Sequence, residues 1–335
     1  MATLYVVSSI AGAGKTMICA GLGRHFLNES KKTGFLKPIL AQDGSPEEGA
    51  DEDALFLKQV LALDEPLDYL CPVFRDGANL ENKIREALTK VAAGKDVVIV
   101  EGGDKLDSTS LEIAQGLDAR VIIIEGYSGG LSPDGLTRKY KDFEKYLLGV
   151  VVNKVPVKEL PTLKSELLSK AGKAGINILG VLPEDRILLS LTVGELAKYT
   201  RGEILNDADK SAELVENLML GAMNVGSGVE YFDLKTGKAA VIRIERPDIQ
   251  MAALETQTKC LILSGSAEPM PTVLNRARVK GVPIIRVEDD IATIVTRIEA
   301  VLGKTKFGQE KKLPQLTQLL ERHLDFQAIY QGLGL

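Results

Sequence analysis

The chain has 335 residues, 45% of them hydrophobic and 26% charged, with 46 acidic against 41 basic side chains and a formal net charge of −5. That length is enough for two domains with cores of their own, and the acidic balance speaks against nucleic acid as a partner. No apolar run reaches the roughly eighteen residues that a membrane helix needs, so no membrane partner is expected.

The apolar N-terminus has no basic leader and is taken up by a motif described next, so it does not read as a signal peptide. The cysteines, Cys19, Cys71 and Cys260, are scattered, and with only His25 and His323 beside them they do not make a zinc cluster. A reduced, cytoplasmic setting is expected.

Residues 3–8 (TLYVVS) form a β-branched run long enough for one buried strand. The turn Ser9-Ile10-Ala11-Gly12-Ala13-Gly14-Lys15-Thr16 follows, and residues 17–27 set Ile18, Leu22 and Phe26 at roughly helical spacing. Strand, glycine-rich turn and helix in that order predict a phosphate loop, with Ser9 where the motif usually starts on glycine. A helix N-terminus has unpaired N–H groups and a partial positive charge, and glycines let the turn wrap an anion with no Cβ in the way. Gly12, Ala13, Gly14, Lys15 and Thr16 are the expected nucleotide-binding residues: Lys15 reaches the β- and γ-phosphates, and the Thr16 hydroxyl ligates Mg²⁺.

Residues 34–40 (GFLKPIL) read as a second strand with Pro38 near its end, and residues 42–51 as a loop of Gly, Pro and acids. Residues 53–63 and 80–92 have helical periodicity. Four buried strands are expected at 96–103 (DVVIVEGG), 119–126, 147–153 (LLGVVVN) and 176–182. Short, continuous apolar runs separated by helices predict a parallel sheet covered on both faces, an α/β fold. Right-handed crossovers then gather the strand C-termini along one edge, where ligands bind.

The stretch 200–209 is polar and reads as a connector, and residues 213–221 as a helix. A second, smaller α/β set follows at 239–244, 249–255, 259–264, 271–280, 283–287 and 291–302, without a phosphate loop. The tail is Lys-rich and then amphipathic through Leu316, Leu319, Leu320 and Leu324, a packing helix. The expected division is therefore 1–205, 206–302 and 303–335.

Several residues of the ligand edge are candidates beyond the loop. Glu101 ends a buried strand beside the phosphate site, as a Mg²⁺ partner, a water-positioner or a strand-end cap. Asp53 opens a helix, as an N-cap or a further metal ligand. Glu125 ends another buried strand and competes with Glu101. Lys37, before Pro38, is either a second cation able to stabilise charge on a transferring phosphoryl group or a solvated lysine. Asn153 offers an amide to a base edge or serves a turn.

The phosphate loop, FLKP around Lys37, Asp53-Ala54-Leu55, VEGG at 100–103 and VVNKV at 151–155 occur in the order of dethiobiotin synthetase-like P-loop proteins, which residues 1–200 resemble. The resemblance implies Mg²⁺ contacts at Thr16, Asp53 and Glu101, phosphate contacts and catalytic roles at Lys15 and Lys37, and an adenine contact at Asn153, with ATP and Mg²⁺ as cofactors. GVLPEDRIL at 180–188, TVGEL at 192–196, GEIL at 202–205, GAM at 221–223, ERPDIQMAALE at 245–255 and CLILSG at 260–265 resemble the DRTGG domain. The Arg246-Pro247-Asp248 turn within it reads most simply as a salt-bridged loop.

This pairing of domains resembles the N-terminal, non-catalytic region of long phosphotransacetylases, and FGQEKKL at 307–313 resembles the segment leading into their catalytic domain, which is expected to be absent from a chain ending at Leu335. The resemblance implies a cytoplasmic, homodimeric, nucleotide-responsive regulator of an acetyl-phosphate or acetyl-CoA enzyme. The alternative is an ATP-dependent carboxylate-amine ligase, a dethiobiotin synthetase-like cyclo-ligase or amide-forming enzyme. A scaffold that binds phosphate weakly is the third reading.

Overall fold

The computed structural model describes residues 1–40, 51–74, 79–103, 106–222, 228–302 and 307–335. In chain order the first elements are β1 (Ala2–Ser8), α1 (Lys15–Asn28), β2 (Thr33–Leu36), β3 (Ile39–Leu40), α2 (Glu52–Val60), α3 (Leu67–Leu70), β4 (Val73–Phe74), α4 (Leu80–Ala92) and β5 (Val97–Glu101). Then come α5 (Ser108–Gly116), β6 (Arg120–Gly126), α6 (Pro133–Lys139), β7 (Leu147–Val155), α7 (Leu160–Ala174) and β8 (Ile178–Pro183). The next are β9 (Leu191–Thr192), α8 (Val193–Thr200), β10 (Glu203–Ile204), β11 (Leu214–Val215), β12 (Asn217–Gly221) and α9 (Gly228–Asp233). The chain finishes with β13 (Lys238–Arg243), α10 (Pro247–Leu254), β14 (Thr258–Ser264), α11 (Pro271–Lys280), β15 (Ile284–Val287), α12 (Ile291–Leu302), α13 (Leu313–His323) and α14 (Phe326–Leu333). They fall into two compact units, Met1–Glu184 with Lys306–Leu335, and Asp185–Thr305.

The first unit is a six-stranded sheet in the order β2-β5-β1-β6-β7-β8, flanked by helices. Every pairing in it is parallel. Its strands are buried along their length, which is why they read as unbroken apolar runs and not as an alternation. Register brings Val6 opposite Glu101, Leu36 opposite Val100, and Gly126 opposite Asn153. All these strands thus end on one edge, and β1 sits between β5 and β6.

The second strand is shorter than expected. It leaves the sheet after Leu36, because Pro38 has no N–H for a ladder. Lys37 N–H instead donates to Leu70 O at 2.7 Å, and Ile39 joins a separate two-stranded ladder with β4. Near the end of the chain, helix α13 buries Leu313, Leu316, Leu319 and Leu320 and lies against α1 and β8. Gly21 of α1 makes that approach possible, since a Cβ there would overlap Leu320 Cδ1.

The second unit has a five-stranded sheet in the order β10-β15-β14-β13-β12, parallel except for β10. Alternate side chains of β13 enter two cores. Ala240 and Ile242 pack with Phe232, Ile249, Ala253, Val273 and Ala277 from α9, α10 and α11. Ala239 and Val241 pack with Val193, Leu196, Ala197, Ile294 and Ile298 from α8 and α12. At the end of β13 the turn is salt-bridged, Arg246 Nη2 to Asp248 Oδ2 at 2.8 Å.

Two expectations need correction here. The division lies between Glu184 and Asp185, not after residue 205, because the apolar face of α8 is buried in the second core and the polar stretch after it is tertiary structure. Asn206 in that stretch is buried, accepting from Ile284 N at 2.9 Å and donating to Val282 O at 2.9 Å. Residues 213–221 are strands β11 and β12, not a helix. So short an apolar run fits either period, and pairing decides it, β11 with β9 and β12 with β13. Of the DRTGG-like GAM stretch, Met223 lies outside the described residues, as does nearly all of the 42–51 loop.

Candidate phosphate and metal site

The loop between β1 and α1 is built for an anion. Gly12 and Gly14 have φ of +71° and +103°, a region that favours glycine. Gly14 is the N-cap of α1, and it brings neither a side-chain cap nor an acid in the first turn to compete for the open N–H groups. Ser9 Oγ is buried with no hydrogen-bond partner. Lys15, buried, donates from Nζ to Ser8 Oγ at 3.1 Å, and Ser8 Oγ donates to Ile10 O at 2.9 Å.

The end of β5 and the start of α2 supply the acids on one side of the loop. Thr16 Oγ1 donates to Glu101 Oε1 at 2.8 Å. Lys37 Nζ donates to Asp53 Oδ2 at 2.7 Å and Asp51 Oδ1 at 3.0 Å, and stands 3.8 Å from Glu101 Oε1. Glu101 is 2% exposed, and its Oε2 is buried and unpaired. Burial pushes its carboxyl up to about 7; the Asp53 charge adds to this, while Lys37, the Thr16 hydrogen bond and Lys15 pull the other way. Burial pulls the Lys37 ammonium down, but Glu101, Asp53 and Asp51 outweigh it and hold its pKa above the ordinary value.

Lys15, Thr16, Lys37, Asp53 and Glu101 thus meet on one sheet edge. Asn153 lies on the other side of the loop, its Nδ2 donating to Ala13 O at 2.8 Å and its Oδ1 accepting from Lys154 N at 2.9 Å. Glu125 is engaged elsewhere, by Lys139 Nζ at 2.9 and 3.0 Å and by the Tyr140 hydroxyl.

Sequence reasoning missed Asp51 and Ser8. Asp51, not Asp53, is the N-cap of α2, accepting from Ala54 N at 2.8 Å, and Asp53 falls in the first turn. The spacing Asp51–Ala54 was the available signal, since an N-cap side chain bonds the N–H three residues on. His25 stacks on Phe326 at 3.6 Å, away from this chemistry.

A hydroxyl, a buried carboxylate with a free oxygen and a second carboxylate are hard oxygen donors, and they fit Mg²⁺. Mg²⁺ takes one or two carboxylates and completes its shell with phosphate and water. No all-protein cage of three or more His, Cys, Asp or Glu occurs among the described residues.

Parallel sheet, glycine loop and uncapped helix define a P-loop domain. An AAA-domain family model matches residues 2–190, more than half of the chain, and the chain belongs to that family. A DRTGG-domain model matches residues 195–301. The first domain is dethiobiotin synthetase-like, and the pairing is consistent with the N-terminal region of long phosphotransacetylases.

The phosphate acetyltransferase of Nitratidesulfovibrio vulgaris is 22% identical over 96% of this chain and 50% of its own length. That of Pseudomonas aeruginosa is 23% identical over 100% of this chain and 52% of its own. The chain spans about half the length of the curated relatives it matches. Among solved structures, the CBS and DRTGG domains of the Clostridium perfringens pyrophosphatase regulatory region, complexed with the activator diadenosine tetraphosphate, align with a TM-score of 0.30 and 15% identity, over 45% of this chain and 71% of that one. No helix among the described residues is long and apolar enough to cross a membrane.

Proposed function

We propose that the first unit binds Mg·ATP and that the chain is a nucleotide-responsive regulator linked to acetyl-phosphate or acetyl-CoA metabolism. The observation that carries the reading is the convergence of an uncapped glycine loop with Lys15 and the Thr16–Glu101–Lys37–Asp53 assembly on one edge. Gly12 to Thr16 hold the phosphates, and Lys15 neutralises the β- and γ-groups. Thr16, Asp53 and Glu101 hold Mg²⁺, which when bound supplies positive charge to the phosphate oxygens. Lys37 changes partner from carboxylate to phosphate.

Regulation follows when the nucleotide favours one of two conformations. The DRTGG unit carries the response, in a homodimer, to an acetyl-phosphate or acetyl-CoA enzyme, the class suggested by the phosphate acetyltransferase relatives. Calorimetry of ATP, ADP and GTP with Mg²⁺ on wild type and Lys15→Ala tests the site: tight binding that the substitution abolishes is expected, and equal heats from both proteins would sink it. Sedimentation with and without Mg·ATP tests the response, and an unchanged profile with unchanged affinity for a phosphate acetyltransferase counts against it.

Lys37 beside the acids also favours the ligase reading, in which a second cation stabilises a transferring phosphoryl group. Release of ADP and phosphate that depends on an added carboxylic acid and amine would turn the assignment that way.

A further inference from the structure

We propose that the second unit pairs with a second copy of itself along strand β12, antiparallel about a two-fold axis at Met219, with α9 lying against its counterpart. The inference rests on the homodimer of the reading above and names its surface. β12 is an outer strand of the five-stranded sheet, with β13 as its neighbour. Asn217 N–H turns inward, donating to Gly237 O at 3.4 Å, so alternation along the strand turns the N–H and C=O of Leu218 and Leu220 outward. Neither residue has a backbone partner on that outer side among the described residues.

Outer strands are usually guarded by charge, proline, a bulge or a cover. β8 is bridged by Leu324, and β10 has two residues, with Glu203 paired to Arg286. β12 reads Asn-Leu-Met-Leu-Gly, with no charge and no proline, and its register against β13 is unbroken. Its side chains serve its own unit: Met219 lies in the core that holds Phe232, and Leu218 and Leu220 pack against the core on the opposite face. What the edge offers is therefore backbone. An identical strand turned about a two-fold axis offers the matching donors and acceptors, with Leu218 facing the partner's Leu220 and Leu220 facing the partner's Leu218.

The helix over this edge fits the same occupant. In the crossover from β12 to β13, α9 buries Phe232 but leaves Val229 48% exposed, and Leu234, directly after it, is 75% exposed. A two-fold axis between antiparallel strands keeps like faces of the sheet on the same side, so it brings α9 beside its counterpart and covers these side chains. The two helices run antiparallel, which sets exposed Glu230 of one towards exposed Lys235 beyond the end of the other. A short ladder needs such apolar support, since stable interfaces bury about 800 Å² a side.

The test is sedimentation of the full chain over a range of concentrations, with and without Mg·ATP. Wild type is expected to dimerise. Leu220→Pro removes an outward N–H and keeps the inner ladder, and Val229→Glu with Leu234→Glu puts like charge at the helix contact. Each is expected to raise the dimer Kd roughly tenfold or more with the circular dichroism of wild type. Wild type that stays monomeric throughout sinks the homodimer and this surface together. A dimer that survives the paired glutamates overturns the surface and leaves the homodimer standing. The glutamates replace exposed side chains, so they decide the matter should the proline variant unfold.

Discussion

Glu101 shows how one buried carboxyl ties pH to this site. Its folded pKa is raised from the ordinary 4.5 to about 7. Between those values the folded chain binds more protons than the unfolded one, so stability falls as pH rises through the window. The cost is absent below about 4.5 and complete above about 7, on the order of 3 kcal/mol at full extent. Glu101→Gln keeps an acceptor for Thr16 and removes the charge. In urea unfolding without nucleotide, the variant is expected to lose this slope and to be more stable than wild type near neutral pH. Identical slopes in the two proteins would contradict the raised pKa.

Lys37 is the other half of the balance. Replacing it by Met strips the cation from Asp51, Asp53 and Glu101. It is expected to cost about 1–3 kcal/mol, between the exposed and the buried limits for ion pairs. Magnesium chloride alone should then raise the melting temperature of Lys37→Met more than that of wild type, because the ion takes over vacated carboxylates. A smaller rise in the variant would argue against a shared metal and lysine position.

At the scale of elements, α1 has two jobs that its sequence separates by position. Its first turn opens onto the glycine loop, and Gly21 and Gly23 one or two turns on admit neighbours, Leu320 of α13 and Leu61 after α2. Glycine lowers helix propensity by about 1 kcal/mol against alanine, so its presence mid-helix points to close packing. Gly21→Ala is expected to destabilise by about 1–2 kcal/mol net, the overpacking cost less the propensity gain. Leu320→Ala should cost about 2–4 kcal/mol, as for other buried leucines. Because the first substitution fills the space the second empties, the double variant should be less destabilised than the sum, and simple additivity in denaturant melts would show the two residues do not touch. At this scale too, Pro38 ends β2 by removing a ladder donor, a stop that the residue type announces, although the strand ends at Leu36 and the apolar run continues to residue 40.

For the whole molecule, two compact units predict two unfolding transitions, since separate cores melt separately. Mg·ATP at about a hundred times its Kd should add about 2.7 kcal/mol to the first unit. The regulatory reading expects the second transition to move as well, because linkage requires the nucleotide to be felt where the signal is carried. Calorimetry in which only the first transition shifts would favour the ligase or scaffold reading.

Much of this protein was legible residue by residue. The phosphate loop, the helix at 80–92 and the six buried strands are written in local pattern, because glycine placement and an unbroken β-branched run act through backbone sterics and desolvation within a few residues. The parallel α/β class follows from those runs. What the tertiary structure alone decided lies where partners distant in sequence compete. Residues 213–221 became strand through pairing with β9 and β13, and the polar stretch after residue 200 joined the second unit because Asn206 found backbone partners near residue 284. The unpaired oxygen of Glu101, the cation of Lys37 shared among three acids and the amide of Asn153 turned onto Ala13 likewise depend on which strand ends come to lie side by side. A sequence states which groups are present; burial and hydrogen bonding across the sheet edge determine which of them remain available to a ligand.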